Sequence, residues 1–323
     1  MYKKFTVLIL VVMLISMVFA STVGAAGYPE KPITVIVGFG AGGATDVLVR
    51  IVGKYADKYF GQPFVVVNKP GANTEIEMMA LKAAKADGYT LGTVNIPHAP
   101  SNTLMRETGY AMSDYTPIVN LVTDPGVVGI HPDEKKFQSI KGLIVYAKQH
   151  PGELTWAVSG IGSDDHIAAI LFMAETDCKV NVIPYKSDAE IRAALMGKHV
   201  DVAGLNVGNC AEYVAANKIK ALAVMAEERH PSLPDAPTFK EMGFPSVISA
   251  SNRGLLAPLG LSEEVKNQIV NSLTQLTQDA DFLKDCEDAV QPLDIRFTDD
   301  YKKLIDNRVE LFAKLYKIQP WGK

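Results

Sequence analysis

Val35-Ile36-Val37-Gly38-Phe39-Gly40-Ala41-Gly42-Gly43-Ala44-Thr45-Asp46 runs from an apolar strand through a glycine-rich turn into a helix. A strand, a tight turn and a helix in immediate succession open an α/β unit. Glycines let the backbone bend sharply and approach a ligand, and the helix start adds unpaired N–H groups at the positive end of its dipole. Such a turn is built to hold an anion. Gly38, Gly40 and Gly43 satisfy G-x-G-x-x-G, the dinucleotide fingerprint, but the acid expected at the end of the next strand is Asn68. The stretch also approaches a phosphate-binding P-loop, whose lysine position is Ala44. Capture of a smaller anion by backbone N–H groups fits these residues better than nucleotide binding, with a purely structural turn as the alternative.

Outward from this turn, short apolar runs alternate with amphipathic stretches. Ile33–Val37, Phe64–Asn68, Thr90–Val94, Ile118–Val122, Gly126–Ile130, Thr155–Val158, Val180–Pro184, Val200–Leu205 and Ala221–Met225 read as strands. Asp46–Tyr59, Glu75–Ala84, Ile140–Gln149, Asp165–Glu175 and Ala189–Leu195 read as helices between them, and Glu263–Gln278 and Tyr301–Tyr316 as long surface helices. This alternation predicts an α/β fold with a parallel, doubly wound sheet. Open sheets of that kind bind ligands at the loops following the strands.

The N-terminus reads as a targeting segment. Lys3 and Lys4 precede an almost wholly apolar run of about 16 residues, Phe5 to Ala20, short of the ~20 that span a bilayer. Small residues follow, so residues 1–26 read as a signal peptide cleaved after Ala25 or Ala26, with a membrane anchor as the alternative and no cysteine there for lipidation. The remaining 297 residues suffice for two domains, and without Lys3 and Lys4 the formal charge of −4 becomes −6. A mildly acidic chain with dispersed Lys and Arg offers no basic patch to nucleic acid. Cys178, Cys210 and Cys286 are odd in number and far apart, which implies buried apolar residues rather than a disulfide framework.

Two further turns sit between a strand and a helix: Pro70-Gly71-Ala72-Asn73-Thr74, before Glu75 and Glu77, and Ser159-Gly160-Ile161-Gly162-Ser163-Asp164-Asp165-His166. Ser163, Asp164 and Asp165 fit ligand contact and simple helix capping equally well. Several such loops in two halves of one chain supply convergent donors suited to a small carboxylate. Enzyme signatures are missing: neither Ser159 nor Ser163 lies in G-x-S-x-G, and the six histidines form no i,i+4 pair and no H-E-x-x-H. His166, beside two aspartates, reads as a surface or capping residue before a general base. No metal and no cofactor is expected.

A series of motifs then carries a family resemblance. Tyr28-Pro29-Glu30-Lys31-Pro32-Ile33, the turn Phe39–Asp46, Asn68-Lys69-Pro70-Gly71-Ala72 and Asp87-Gly88-Tyr89-Thr90-Leu91 occur in order. Pro184-Tyr185-Lys186, Ala221-Leu222-Ala223-Val224, Leu233-Pro234-Asp235-Ala236-Pro237-Thr238 and Gly254-Leu255-Leu256-Ala257-Pro258 follow. Over the whole mature chain it resembles the extracytoplasmic solute receptors of tripartite tricarboxylate transporters, the Bug family. The resemblance implies a periplasmic, monomeric binding protein of the flytrap kind, with two doubly wound lobes carrying helices on both faces. Residues 27–122 with 251–323 would form lobe 1, and 123–250 lobe 2. They would close on a small organic anion (a di- or tricarboxylate, a hydroxy acid or an amino-acid-like molecule) and deliver it to membrane permease subunits. By position, Phe39, Ala41, Gly42, Ala44 and Asp46 would line the first loop, with Ala72, Asn73 and Val94, Asn95, Ile96 beside them. Ser159, Gly160, Gly162 and Ser163 would face them from lobe 2, with Tyr185 and Asn206 nearby.

Departures from the family pattern bear on the ligand. Asn73-Thr74-Glu75 stands where Gly-Gly-Asn is usual, Asp164-Asp165 where Ser-Gln is usual, Ser187 where Gly is usual, and Asn252-Arg253 where aromatic residues are expected. If Arg253 and one of Glu75, Asp164 or Asp165 face the cleft, a zwitterion or hydroxylated acid fits better than an aromatic acid. A ligand sensor acting on a membrane sensor kinase would need the same site. An exported α/β enzyme would need a nucleophile or metal constellation that these residues do not assemble.

Overall fold

The structure is a computed structural model that describes residues 27–322. The expected signal peptide lies outside the described residues. Among those residues no helix is long and apolar enough to cross a membrane.

The first α/β unit forms where the glycine turn placed it. β1 (Ile33–Val37) is followed by α1 (Ala44–Lys54), which buries Leu48, Val49 and Val52 against the sheet. The single helix expected over Asp46–Tyr59 begins two residues earlier and breaks at Tyr55, where α2 (Ala56–Phe60) starts. The phenol of Tyr55 donates to Asp285, which also accepts from Lys54, and this pins the break to the C-terminal region. β2 (Phe64–Asn68), α3 (Glu75–Lys82), β3 (Thr90–Ile96) and α4 (His98–Met105) complete the first set.

The next strand corrects the sequence reading. Ile118–Val122 and Gly126–Ile130 are not two strands parted by a turn at Asp124-Pro125 but one 16-residue strand, β4 (Tyr115–Ile130). Then come α5 (Ile140–Gln149), β5 (Thr155–Val158), α6 (Asp164–Thr176), β6 (Asn181–Pro184), α7 (Asp188–Met196), β7 (Val202–Asn206), α8 (Val207–Ala215) and β8 (Lys220–Val224). The chain returns through β9 (Ala250–Pro258), α9 (Glu263–Leu276), α10 (Ala280–Asp288), β10 (Leu293–Phe297) and the long α11 (Thr298–Ile318). Sequence periodicity did not reveal α4, α8, α10, β9 or β10.

The main order across the sheet is β2-β1-β3-β9-β4-β7-β5-β6, and β10 and β8 also pair with β4. β1 lies parallel to β2 and β3, and β5 lies parallel to β6 and β7, as a wound sheet requires. The two long strands β4 and β9 run antiparallel to each other and to β3 and β7, so the sheet is mixed at its centre. β4 pairs with β9 as far as Pro125 and with β7 from Gly126 onward. Proline has no N–H to give a ladder, and Pro125 falls at the exchange of partners.

Two apolar clusters are local, one around β1, α1 and α9 and one around β7, α7 and α8. A third runs across both halves of the sheet, from Met78 and Val94 through Val128 and Trp156 to Phe172 and Phe312. Burial on this scale contributes about 25 cal/mol per Å² of apolar surface. Ser139, Ser163, Ser187, Ser262 and Asp279 cap α5, α6, α7, α9 and α10 with side-chain oxygens. Each such cap contributes ~1 kcal/mol.

Candidate functional site

The turn before α1 and the turn before α6 share their closing hydrogen bond and the left-handed glycine before the N-cap, although Gly160 also holds a positive φ of 104° and Gly40 does not. Gly43 N–H donates to Gly40 O at 3.2 Å, and Ser163 N–H donates to Gly160 O at 3.4 Å. Gly42 has φ +81° and Gly162 φ +82°, a region an L side chain enters only at a cost. Gly43 and Ser163 are both extended N-caps, and Val47 and Ile167 each return an N–H, at 2.9 Å, to the carbonyl four residues back. In each turn the third helical residue fixes the loop. Asp46 accepts from Gly42 N–H at 2.8 Å, and His166 Nδ1 accepts from Gly162 N–H at 3.1 Å. The two turns therefore present equivalent helix starts from two halves of the sheet.

The side chains tying each turn differ. Burial pushes the Asp46 carboxyl up, but bonds from Arg50, Gly42 and Asn68 outweigh it and hold the group below its usual range. His166 is displaced the other way: burial lowers it to about 4, so the imidazole is neutral and free to accept at Nδ1. Thr45 donates to Asn95 Oδ1 at 3.1 Å, joining the first turn to the end of β3. Ser163 caps α6 through His166 N–H, and Asp165 accepts from both the N–H and the hydroxyl of Ser159.

Between the turns lies a buried ionic centre. Arg253, on β9, is 4% exposed and donates from Nη1 to Asp124 Oδ2 at 3.0 Å, while Asp124, on β4, is 1% exposed. The other Asp124 oxygen accepts from Gly208 N–H at the start of α8. Asn206 Nδ2 donates to the Asp124 carbonyl and, at 2.6 Å, to Asp164. Ser249 donates its hydroxyl to the Asp164 carbonyl. Burial raises the carboxyls of Asp124, Asp164 and Asp165, with Arg253 opposing it at Asp124 and Asn206 opposing it at Asp164, which is pushed up to about 6. His98, at the start of α4, is 6% exposed, meets the Phe39 ring edge-on at 5.6 Å, and its Nδ1 has no partner among the described residues. Burial, with Arg253 nearby, lowers His98 to about 4.

The expected residues sort into groups around this centre. Phe39 and Ala44 are half-buried, and Ala41 and Gly42 are exposed on the first turn. Ala72 and Asn73 carry positive φ values of 48° and 56°, and Asn73 exchanges hydrogen bonds with Asn102 on α4. Val94 and Ile96 point into the core, whereas Asn95 points to Thr45. Tyr185, half-buried, packs on the cluster around β7 and α7. Glu75 is tied at 2.7 Å to Arg106, the residue that ends α4. His98, Ser101, Asp124, Gly208 and Ser249 were missed by sequence reading. Pro97 and Pro100 hide the start of α4 by reading as breakers, and Asp124-Pro125 reads as a turn.

The first glycine of the fingerprint has a structural use: a Cβ at Gly38 would lie 2.0 Å from a carboxylate oxygen of buried Glu77. A groove of about 1150 Å³ lies elsewhere, between β10 and α11, but Arg296 and Lys303 in it are paired with Asp294 and Asp300. Among the described residues no group of His, Cys, Asp and Glu could hold a metal ion, and all three cysteines are free and buried.

Comparison with known proteins identifies the family. The sequence profile of the family described as tripartite tricarboxylate transporter family receptor matches residues 48–318. Protein BugT of Bordetella pertussis is 32% identical over 248 residues, 76% of each chain. The solved periplasmic binding protein BugD superposes with a TM-score of 0.79 at 28% identity, covering 90% of this chain and 98% of that one. An R. palustris protein solved with adipate superposes with a TM-score of 0.80 at 26% identity, covering 90% and 97%. These neighbours have the two-lobe fold of periplasmic solute-binding proteins, and they are binding proteins rather than enzymes. The chain belongs to the receptors of tripartite tricarboxylate transporters, the Bug family.

Proposed function

We propose that the protein is a periplasmic receptor that captures a small organic carboxylate between its lobes and hands it to the permease of a tripartite tricarboxylate-type transporter. The observation that carries this reading is the pair of matching turns, Gly40–Asp46 and Gly160–His166. Each ends in a helix start whose N–H groups favour negative charge. Residues 27–122 with 251–323 make lobe 1 and 123–250 lobe 2 in this reading, supported by the exchange of β4 partners at Pro125 and Gly126. The related R. palustris protein solved with adipate supports a carboxylate as the cargo. Phe39, Ala41, Gly42, Ala44, Asn73 and Asn95 contact it from lobe 1, and Ser159, Gly160, Gly162, Ser163, Asp164, Tyr185 and Asn206 from lobe 2. Asp46 shapes the first turn from beneath, while Ala72, Val94 and Ile96 support the lobe 1 wall. Hinge closure around the ligand follows from this arrangement.

The test is a melting series on the mature protein after unfolding, dialysis and refolding, with organic acids, amino acids and nucleotides as ligands. A ligand at 100 times its Kd adds about 2.7 kcal/mol. That corresponds to a shift of roughly 5–10 °C for lobes of ordinary size. A shift confined to one class of carboxylate is expected. A shift with nucleotides, or none with any acid, would overturn the reading.

A further inference from the structure

The two turns differ in charge. At the first turn the helix begins Ala44-Thr45, and the nearby acid, Asp46, is turned onto Gly42, Arg50 and Asn68. At the second turn the helix begins with Asp164-Asp165, both 2% exposed. Asp164 is held by the amide of Asn206 and forms no salt bridge; Asp188 at the start of α7 acts on it with the same sign and Arg253 with the opposite one. Arg253 gives its hydrogen bond to Asp124. A second carboxylate placed at the start of α6 would therefore meet a carboxylate of the protein in a site poor in water, where like charges interact strongly. At the start of α4, His98 keeps an unpartnered, buried Nδ1 beside Phe39. A buried polar atom of this kind needs a partner.

We infer that the ligand is a zwitterion, its carboxylate at the start of α1 beside His98 and its ammonium group against Asp164. The inference rests on the carboxylate-receptor reading and adds a polarity to it. Each end of the ligand then meets its complement: unpaired N–H groups for the anion, and a carboxylate for the cation, which supplies charge-assisted hydrogen bonds.

Matched pairs of ligands test the inference by calorimetric titration at pH 7.5. Succinate is compared with 3-aminopropanoate, glutarate with 4-aminobutanoate, adipate with 5-aminopentanoate, and malate with aspartate. In the pair that fits the cleft, the amino member is expected to bind at least tenfold more tightly than its partner. Asp164→Asn keeps an acceptor for Asn206 and removes the charge, and should abolish that preference; Asp164→Ser should do the same. Tighter binding of the dicarboxylates would overturn the inference and leave the carboxylate-receptor reading standing. An amino-acid preference unchanged in both variants would also overturn it. Binding by no member of any pair would overturn the inference too, and would take away the carboxylate-receptor reading only if no acid of the melting series shifted the melt.

Discussion

Asp46 and His166 do the same work in two halves of the sheet: each accepts the N–H of a glycine four residues earlier, Gly42 or Gly162, and so fixes the turn before a helix. One is a carboxylate and the other a neutral imidazole, which shows that the turn needs an acceptor rather than a charge. Both glycines hold positive φ. A Cβ there costs about 1–2 kcal/mol.

Gly42→Ala and Gly162→Ala should both lower the melting temperature, and Gly162→Ala by more. A Cβ at Gly162 would lie 2.9 Å from the Cβ of Ser101 on α4, whereas nothing lies within 4 Å of one at Gly42. Thermal melts of the two variants check the order, and equal losses would contradict the close approach of this turn to α4.

Two buried histidines make stability depend on pH. His98 and His166 are both lowered from 6.5 to about 4 by burial. The unfolded chain therefore binds more protons between these values, so their contribution is complete above pH 6.5 and is lost as pH falls toward 4. The loss is on the order of 3 kcal/mol for each. Asp164, raised to about 6, works in the opposite sense between its ordinary value and 6. Urea melts of the wild type and His166→Gln across pH 4–7 isolate the histidine contribution. Their stability difference should shrink as pH falls.

Arg253 and Asp124 form a buried pair where β4 changes partners. Removing one member strands the other, at a cost of about 3–5 kcal/mol. Arg253→Ala should be destabilising to that degree, and Arg253→Met combined with Asp124→Asn should recover much of it. Denaturant unfolding of the single and double variants gives the coupling. Unchanged ligand affinity in Arg253→Ala would exclude Arg253 from the binding site.

Binding should also respond to pH through Asp164. Burial pushes its carboxyl up to about 6, with Asn206 and Arg253 opposing and Asp188 adding to the rise. An ammonium-bearing ligand needs the charged form, so its affinity should fall as pH drops from 7.5 through 6. For a dicarboxylate the trend should reverse, because protonating Asp164 removes a repulsion. Titrations at pH 5, 6 and 7.5 with aspartate and malate distinguish the two.

The outer strands and their helices were legible in the sequence because each buries one face at a regular period. Leu48, Val49 and Val52 announce α1, and the glycine turn announces its N-terminus. The centre of the molecule was not. β4 and β9 are buried along almost their whole length and show no alternation, and Asp124-Pro125 imitates a turn. The ionic centre joins Asp124, Asp164, Asn206, Ser249 and Arg253 from four separate segments. Local pattern carries no signal of such a meeting. Only the residue departures at 164, 165 and 253 pointed toward it.

Hydrogen–deuterium exchange with and without the ligand found by melting tests the central claim most directly, namely that one carboxylate ligand is held between two matching turns. Residues 40–46 and 160–166 should gain protection together, while the groove between β10 and α11 stays unchanged. Protection of one turn alone, or of the groove instead, would contradict it.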